Sequence, residues 1–481
     1  MSILTKKDID MTEGKILGKM IYFIIPLMLT NLLQTFYNAA DMMIVTLSGE
    51  ADAVGAIGTT GSVITLVVNF FIGFSTGTGV LVARHLGSKN DKGVFLTVHT
   101  SILSSVILGV IGAVVGVIFA RPLLVWMGAD SKLLDLAATY TFIYFLGVPF
   151  ISITNYALQI IRAKGDTRTP LIILTISGLV NVLLNLFFVL ACGMSVEGVA
   201  LATLIANALS GITLLIVLNR DDGPCHFELR RLSIDRDSLK NIVAIGFPAG
   251  IQSSLFSISN IIIASSLLTV NNLMVPAGAD FEPVISGNAA VANLNSFVYT
   301  ATNSVFLASI TFTSQNVGAK KFTRVPRVMA CSLAISMVVA LLLSGVVFVF
   351  HRPLLSLYGV NSGAEGSLEQ IAYQTAYTKI LIETMMIFVM SLMEIGSGIL
   401  RGMGKSLTTT TITLIGTCLL RIVWIYTVFA AYQNLVIIYL SYPISWIITG
   451  VVQITFAIVI VRKAIKKNRA SEVAPIPAES V

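Results

Sequence analysis

A single acidic side chain interrupts the first long apolar segment of this 481-residue chain. Residues 18–47 are predominantly apolar, and Asp41 is the lone acid among them. A carboxylate within a membrane-spanning helix costs about 2.5–3.5 kcal/mol on insertion scales, so we expect Asp41 to face the interior of a helix bundle. There it would bind a proton or a small cation. The alternative is a structural role, in which Asp41 accepts a hydrogen bond from a neighbouring helix.

Other polar side chains share the helix face that carries Asp41. Residues spaced three or four apart lie on one side of an α-helix. The stripe, which we expect to line a cavity, consists of Gln34, Tyr37, Asn38 and Asp41. Asn155 and Gln252, in later apolar segments, are candidates to join it.

The apolar segment at residues 368–399 carries two more acids in its interior, Glu383 and Glu394. Both are candidates to contact a cationic substrate in the same cavity. For Glu383 the alternative is an ion pair with Lys379, which lies one helical turn before it. Arg421, in the next apolar segment, is expected to be satisfied by helix carbonyls or by an acid, which is a structural role.

The residues that enzymes use for catalysis or metal binding are not grouped in this sequence. The four Cys and four His residues are scattered, without the spacing of a metal site or of a disulfide framework. GFSTG at residues 73–77 matches the G-x-S-x-G pattern of hydrolases, but it lacks the strand–turn–helix context and a nearby His. We therefore expect a protein that is not an enzyme and that needs no cofactor.

The composition indicates where these residues must sit. Hydrophobic residues make up 55% of the chain and charged residues only 11%, whereas soluble proteins carry about 25% charged residues. A helix needs about 20 apolar residues to cross a bilayer. The sequence predicts an all-α integral membrane protein with twelve spans, at residues 18–47, 53–82, 94–119, 133–160, 169–191, 196–218, 240–269, 286–316, 324–350, 368–399, 406–431 and 435–462.

Positive charges are concentrated on one side of the predicted membrane. Most of the 31 Lys and Arg residues fall in the N-terminal tail, the even-numbered turns and the C-terminal tail. This distribution follows the positive-inside rule and predicts that both termini lie on the cytoplasmic side of the cell membrane. The net charge of +7 therefore indicates orientation in a bilayer, and we expect no nucleic-acid partner.

The twelve spans form two sets of six that resemble each other. VARHLGSKND after the second span is similar to TSQNVGAKKF after the eighth, which pairs Gly87 with Gly318. LQIIRAKGDTRTP and GILRGMGKSLTTT pair Arg162 with Arg401 in the same way. Because both halves start from the same side, the repeat is parallel, and its axis lies along the membrane normal.

The chain therefore divides into two pseudo-symmetric six-helix lobes and three polar segments. The last residues are small, polar and Pro-containing, which predicts disorder. The predicted parts are a cytoplasmic N-tail (1–17), an N-lobe (18–218), a cytoplasmic linker (219–239), a C-lobe (240–464) and a cytoplasmic, disordered tail (465–481).

Several of these segments resemble the multidrug and toxic compound extrusion (MATE) family of efflux transporters. The resemblance rests on PLMLTNLLQTFYNAADMMIV, ARHLGSKND, RAKGDTRTP and RGMGKSLTT, and it extends over about residues 14–465. It implies two six-helix lobes that face each other in a V around a central cavity. It also implies secondary active export of cationic or amphipathic organic compounds by antiport with H⁺ or Na⁺, through alternating access.

The resemblance further implies a cation-coupling site in the N-lobe. Asn181 and Asn185 lie four residues apart on one helix face, and Thr203 lies in the next span; with Asp41, they match the positions of this site in several family members. Carboxylate, amide and hydroxyl oxygens suit a hard cation such as Na⁺, whereas Asp41 alone would serve a proton. Some relatives carry a second acid where Asn185 stands, so the identity of the coupling ion stays open.

In some relatives a bend at Pro26 accompanies protonation; the alternative here is a static kink.

The alternative function is that of a lipid-linked oligosaccharide flippase, from a related class of membrane exporters. Such cavities need several basic residues to hold a pyrophosphate, and only Lys379 and Arg421 lie within the predicted spans and away from their ends. This favours the multidrug exporter. We expect its partners to be small organic substrates and the lipid bilayer, and we expect a monomer.

Overall fold

The computed structural model describes residues 9–47, 51–126, 133–275 and 281–473, and within them it forms twelve long helices joined by short connections. The first six are α1 (Ile16–Leu47), α2 (Ala51–Gly87), α3 (Asp91–Trp126), α4 (Leu134–Leu146 and Val148–Lys164), α5 (Arg168–Leu186, continued by a π-turn at Phe187–Ala191) and α6 (Val196–Asn219). The other six are α7 (Arg236–Met274), α8 (Pro283–Gly318), α9 (Val325–Val349), α10 (Leu368–Ile382 and Ile387–Gly402), α11 (Ser406–Tyr432) and α12 (Leu435–Val473).

The helices have the length and the surface of membrane spans. Within the described residues, nine helices are long and apolar enough to cross a bilayer, and the count is ten if the two parts of α4 form one span. Large apolar side chains on the outside of the bundle are exposed, including Ile118 (61%) on α3 and Leu342 (65%) on α9. Such a surface is stable only against lipid. The predicted all-α integral membrane fold is confirmed.

The two lobes repeat each other down to the backbone conformation of their turns. Gly165 ends α4 with φ +102°, and Gly404 follows α10 with φ +78°. Lys89 and Lys320, which follow α2 and α8, share a left-handed φ of 54° and 56°. A non-glycine residue with positive φ is uncommon, so its recurrence at matched positions is a sign of the same supersecondary unit used twice.

The lobes meet backbone to backbone at one end of the bundle, here called the closed end, where α2 and α8 finish. A Cβ added to Gly87 would lie 2.0 Å from the carbonyl oxygen of Gln315, and a Cβ added to Gly318 would lie 2.0 Å from that of Arg84. Arg84 also donates a hydrogen bond to the carbonyl of Gly402 at 3.0 Å. The two glycines that the repeat pairs are thus the points of closest approach between the lobes.

Two antiparallel helix pairs continue this contact to about the middle of the bundle. Along α1 and α8 it runs from the ring pair Phe23–Phe312 to the ring pair Phe36–Phe297. Along α2 and α7 it includes Gly77, whose Cβ would lie 2.3 Å from the Ile242 carbonyl. These contacts hold the lobes together at the closed end. The space between the lobes therefore lies toward the other end.

The N-tail takes part in this closure. Met11 is fully buried; its N–H donates to the Gln315 side chain at 3.3 Å, and its carbonyl accepts from Asn316 at 3.1 Å. Gln315 in turn donates to the carbonyl of Ala163 on α4 at 2.8 Å. The segment therefore joins both lobes, and a residue predicted to lie in a cytoplasmic tail is part of the core.

Three helices differ from the predicted spans. Helix α4 bends by 46° at Gly147, because Pro149 in the first turn of the second part cannot donate a backbone hydrogen bond. Helix α10 is interrupted by a 3₁₀ turn at Thr384–Met386. Helix α12 continues to Val473, so the prediction that the segment 465–481 is disordered was wrong for its first part; residues 474–481 lie outside the described residues.

Valine at Gly87 or at Gly318 should separate the lobes at the closed end, since either Cβ would overlap a backbone oxygen of the other lobe. Gly345→Val on α9 is the matched control, because nothing lies within 4 Å of a Cβ there. Spin labels at the exposed Lys92 and Lys405 report the distance between lobes. We expect both closed-end variants, and not the control, to shift the distribution to longer distances; an unchanged distribution would show that the glycine contact does not hold the lobes.

Candidate functional site

A cavity of about 1220 Å³ lies between the two lobes. It extends from Arg162 and Arg401, near the closed end, to Ile57 and Asn288, near the opposite end. From the closed end, where the lobes are joined, the cavity extends toward the other end of the bundle. Helix α8 supplies much of its polar wall, with Asn288, Asn295, Ser296, Tyr299, Thr300 and Asn303.

Helix α1 presents its polar stripe to this cavity. Gln34, Tyr37 and Asp41 line the wall on the N-lobe side. The side chain of Asn38 lies outside the described part of the chain. Pro26 lies within an α1 that is helical throughout, and its carbonyl accepts a hydrogen bond from the Thr30 hydroxyl at 2.8 Å.

Tyr37 fixes α1 against α5. Its hydroxyl donates to the carbonyl of Thr175 at 3.2 Å. Its ring fills the space beside Gly178, where a Cβ would lie 2.0 Å from the ring. The absence of a side chain at Gly178 therefore lets α1 approach α5, which places Asp41, one turn further along α1, beside the end of α5.

Asp41 accepts a hydrogen bond from the side-chain amide of Asn185. Asn185 is fully buried, and its amide oxygen has no hydrogen-bond partner. The hydroxyl oxygen of Thr203, also buried, has none either. Asn181 (5% exposed) and Thr203 also line this cavity. The structure thus places the Asp41 carboxylate in contact with the amide of Asn185, and the side-chain oxygens of Asn185 and Thr203 are buried without a protein donor.

This donor set limits the ions that would bind. Among the described residues there is no group of three or more His, Cys, Asp or Glu side chains, which transition metals would require. One carboxylate with neutral oxygen ligands suits a proton or a hard monovalent cation. Buried polar atoms are normally paired, so the free oxygens of Asn185 and Thr203 fit a cation that completes the site.

The remaining candidates of the sequence line the cavity elsewhere. Asn155 reaches the wall and donates to the carbonyl of Ile151 at 2.9 Å. Gln252 is held in place, since its side-chain oxygen accepts from Arg401 at 2.8 Å and from Thr410 at 3.2 Å. Glu383 and Glu394 are both in the wall on the C-lobe side.

Glu383 is part of a buried polar cluster in the C-lobe. Lys379 lies 3.6 Å from Glu383, with side chains 5% and 10% exposed, and it donates to the side-chain oxygen of Asn288 at 2.9 Å. Asn295 donates to the other carboxylate oxygen of Glu383 at 3.1 Å. This ion pair is the alternative that the sequence left open for Glu383, but it lies in the cavity wall.

Arg421 lies beside side chains of α12. Its Nε donates to the hydroxyl of Ser445 at 2.9 Å, and its guanidinium lies 4.2 Å from the ring centre of Tyr442 and 5.9 Å from that of Trp446. Among the described residues, no carboxylate lies within 4.0 Å of Arg421, and Glu383 is the acid that acts on its charge. The prediction that helix carbonyls or an acid satisfy Arg421 stays a prediction.

Glu394 belongs to a second group, nearer the closed end. It interacts with Tyr299 and with Arg401, and one of its carboxylate oxygens is buried without a hydrogen-bond partner. Arg401 lies 5.6 Å over the ring of Phe306 and donates to Gln252. These contacts cross between α8, α10 and α7.

Two functional candidates were missed by the sequence reasoning. Arg162 and Arg401 were assigned to turns at the membrane surface, but they are only 8% and 4% exposed and line the cavity. The last turns of α4 and α10 carry them inward. The signal that could have found them is the repeat, which pairs these two arginines with each other.

The cavity is therefore not simply acidic. Its described wall contains three carboxylates, from Asp41, Glu383 and Glu394. It also contains four cationic side chains, those of Arg162, Lys379, Arg401 and Arg421. The acid at Asp41 stands apart in the N-lobe, whereas the C-lobe wall holds both signs of charge.

Comparisons with known proteins agree with this architecture. Residues 26–187 and 255–427 match the family described as MatE. The "Probable multidrug resistance protein YoeA" of Bacillus subtilis (strain 168) is 29% identical over 345 residues, covering 70% of this chain and 72% of that protein. The "FAD transporter" of Shewanella oneidensis is 26% identical over 333 residues, covering 68% of this chain and 70% of that protein.

A solved structure also superposes on nearly the whole chain. It is described as the outward-facing conformation of a multidrug resistance MATE family transporter of the MOP superfamily, and its TM-score is 0.86. The sequences are 20% identical, and the match covers 96% of this chain and 99% of that chain. At this identity the match shows the two-lobe fold.

Removal of the Glu383 carboxylate should destabilise the C-lobe. Glu383→Gln leaves Lys379 and Arg421 buried without a counter-charge, and breaking a buried pair costs about 3–5 kcal/mol. We expect a lower midpoint of thermal unfolding, with partial recovery in the double variant that adds Lys379→Met. Glu365→Gln, at an exposed position, is the control. Equal midpoints for Glu383→Gln and Glu365→Gln would contradict a stabilising role for this pair.

Proposed function

This chain belongs to the MatE family of multidrug efflux transporters, and we propose that it exports small organic compounds from the cell by antiport with H⁺ or Na⁺. Transport by this family is not an enzymatic reaction, and ion coupling is typical of it. The substrates would be cationic or amphipathic, taken from the cytoplasm or the inner leaflet into the central cavity. The transporter would act as a monomer in the cell membrane, without a cofactor.

The observation that carries this proposal is the site around Asp41. A carboxylate in the cavity wall, with the buried amide of Asn185 behind it, can change its charge or bind a cation while it stays in contact with water in the cavity. The unpartnered oxygens of Asn185 and Thr203 are carried by α5 and α6, and the packing of these two helices orients them. A purely structural Asp41 would not require these free oxygens.

Ion binding at Asp41 would act on the packing of α1. The amide of Asn185 donates to an ionised Asp41, and a proton or cation on the carboxylate weakens that attraction. Helix α1 is also the helix that meets α8 of the other lobe, at Phe23 and Phe36. A change at Asp41 therefore reaches the contact between lobes, and Pro26, which lacks a backbone N–H, is the place where α1 bends most easily.

The membrane voltage supplies enough free energy to drive export against a concentration gradient. One elementary charge that crosses about 100 mV supplies about 2.3 kcal/mol. That sustains a gradient of about 50-fold for a neutral compound, since 1.4 kcal/mol corresponds to a factor of ten. For a monovalent cation exchanged against one H⁺ the membrane voltage cancels, and the concentration gradient of the ion must drive export.

We assign the closed end to the cytoplasmic side. The N-tail is packed there at Met11, and Val461 near the end of α12 belongs to the same buried cluster. The turns of this end also carry most of the Lys and Arg residues, in accordance with the positive-inside rule. The cavity would then be open to the outside, in the conformation from which substrate leaves.

The flippase alternative is stronger than the sequence alone indicated. It was disfavoured because only Lys379 and Arg421 lay within predicted spans, but Arg162 and Arg401 also line the cavity. The ion-binding geometry at Asp41 still favours an ion-coupled exporter. Flipping of a lipid-linked pyrophosphate by proteoliposomes that transport no dye would support the flippase instead.

Asp41→Asn should abolish gradient-driven transport. Proteoliposomes with the wild-type protein are expected to move a fluorescent cationic dye when a pH or a Na⁺ gradient is imposed separately. Asn cannot take up a proton and carries no charge for Na⁺, so transport should fall to the level of empty vesicles. Asp135→Asn, an acid at an exposed position (side chain 80% exposed), is the control. Undiminished transport by Asp41→Asn would remove the N-lobe site from the mechanism.

Thr203→Val should distinguish the two ions. The Thr203 hydroxyl oxygen has no protein partner, so the isosteric Val removes an ion ligand without breaking a hydrogen bond. If Na⁺ is the ion, its half-saturating concentration should rise about tenfold, which corresponds to 1.4 kcal/mol. If H⁺ is the ion, transport should match that of Thr427→Val, an exposed control on α11. A Na⁺-driven transporter indifferent to Thr203→Val would exclude Thr203 as a ligand.

A further inference from the structure

Two buried cations in the C-lobe share a single acid. Lys379 lies 3.6 Å from Glu383, and no carboxylate among the described residues lies within 4.0 Å of Arg421. With all three groups ionised, the cluster of Lys379, Glu383 and Arg421 carries one positive charge in excess. Buried charges are normally paired, so this arrangement lacks a negative partner.

The free donors of Arg421 face the cavity. Its side chain is 3% exposed and lines the cavity wall. Ser445 accepts a hydrogen bond only from the Nε–H, and among the described residues Arg421 forms no hydrogen bond with Tyr442 or Trp446, whose rings lie beside its guanidinium. The terminal nitrogens of the guanidinium, which form a fork that matches a carboxylate or a phosphate, have no protein acceptor among the described residues.

We infer that the cluster of Lys379, Glu383 and Arg421 is a subsite for the anionic group of an amphipathic organic substrate, a carboxylate or a phosphate. The inference rests on the proposed transport function and narrows its substrates. A substrate would place its anionic group on the Arg421 fork, with the ammonium of Lys379 nearby. Its apolar part would lie against Phe256, Met390 and Met393, which line the adjacent wall.

The surrounding residues fit this role. The guanidinium of Arg421 lies over the rings of Tyr442 and Trp446, which restrict its orientation before a substrate arrives. Methionine side chains adapt to ligands of different shapes, which suits a site that selects its substrates by their charge more than by their shape. The negative charge of Glu383 compensates the positive charge of Lys379. The subsite therefore keeps one excess positive charge, which favours a single anionic group.

Other basic residues of the cavity are less available. Arg401 donates to Gln252 and has Glu394 near it, so its charge is already compensated. Arg162 belongs to the N-lobe and is buried near the closed end. At Arg421, free donors, a second cation and an apolar wall occur together.

The test compares two xanthene dyes of similar size and opposite charge. Fluorescence anisotropy of the purified full-length protein in detergent measures the affinity for anionic carboxyfluorescein and for cationic tetramethylrhodamine methyl ester. Arg421→Gln should weaken carboxyfluorescein binding about 10- to 100-fold, the range for a lost charged hydrogen bond, and should leave the cationic dye unchanged. Arg421→Lys should recover part of the loss, and the exposed Arg352→Gln should lose nothing.

A second variant keeps the test decisive if Arg421→Gln does not fold. Glu383→Gln raises the excess charge of the subsite, so it should strengthen carboxyfluorescein binding several-fold and weaken binding of the cationic dye. The anionic dye should also raise the unfolding midpoint of Glu383→Gln more than that of the wild type. Misfolding cannot produce a gain in affinity. The unfolding midpoint of the same sample shows whether Glu383→Gln is folded, and no gain in a folded Glu383→Gln would overturn the proposal.

Other results also overturn it. Equal losses for both dyes in Arg421→Gln would indicate a structural role for Arg421, and equal affinities for both dyes in the wild type would leave no charge selectivity. The comparison of an anionic with a non-anionic ligand can be repeated for a phosphate group, with riboflavin phosphate and uncharged riboflavin. Because binding needs no ion gradient, its failure is distinct from failure of the transport assay: a protein that exports cations and ignores carboxyfluorescein refutes only the subsite.

Discussion

Backbone contact between the two lobes is the constraint on which the rest of this structure depends. At Gly87 and Gly318 there is no room for a Cβ, and a carbonyl of the opposite lobe occupies that space. Because the same motif supplies one glycine to each lobe, the contact is symmetric and joins both lobes at a single end. The cavity, its opening and the inward direction of Arg162 and Arg401 all follow from this closure.

A low-dielectric surrounding then decides where the ionisable residues lie. A charge that faced lipid would be costly, and the bundle instead directs Asp41, Glu383, Glu394 and the basic residues between them toward the water-accessible space between lobes. The cavity therefore collects almost every charge that the spans carry. Its chemistry is consequently set by a few residues, each oriented by the packing of the helix behind it.

The two lobes share a fold but differ in their chemistry. Arg162 and Arg401 occupy matched positions at the bottom of the cavity. Asp41 has no such counterpart. IIPLMLTNLLQ in α1 is similar to GFPAGIQSSL in α7, which pairs Pro26 with Pro248 and places Ile263 at the position that corresponds to Asp41. The N-lobe thus presents oxygen ligands and a lone acid, whereas the C-lobe presents three cations against two acids. In our proposal this asymmetry separates the ion that drives transport from the group that recognises the substrate.

The apolar periodicity and the charge distribution by themselves determined the membrane fold, the repeat and the candidate acid at Asp41, because these features depend on local composition and on partition into lipid. Tertiary structure alone decided which polar residues meet. Helix α5 places Asn185 against Asp41 because Gly178 accommodates Tyr37. Helix α12 places a hydroxyl and two rings beside Arg421, and the last turns of α4 and α10 turn two arginines inward. Such encounters depend on how distant helices pack, and the sequence of a single helix does not encode the neighbour that its polar face will meet.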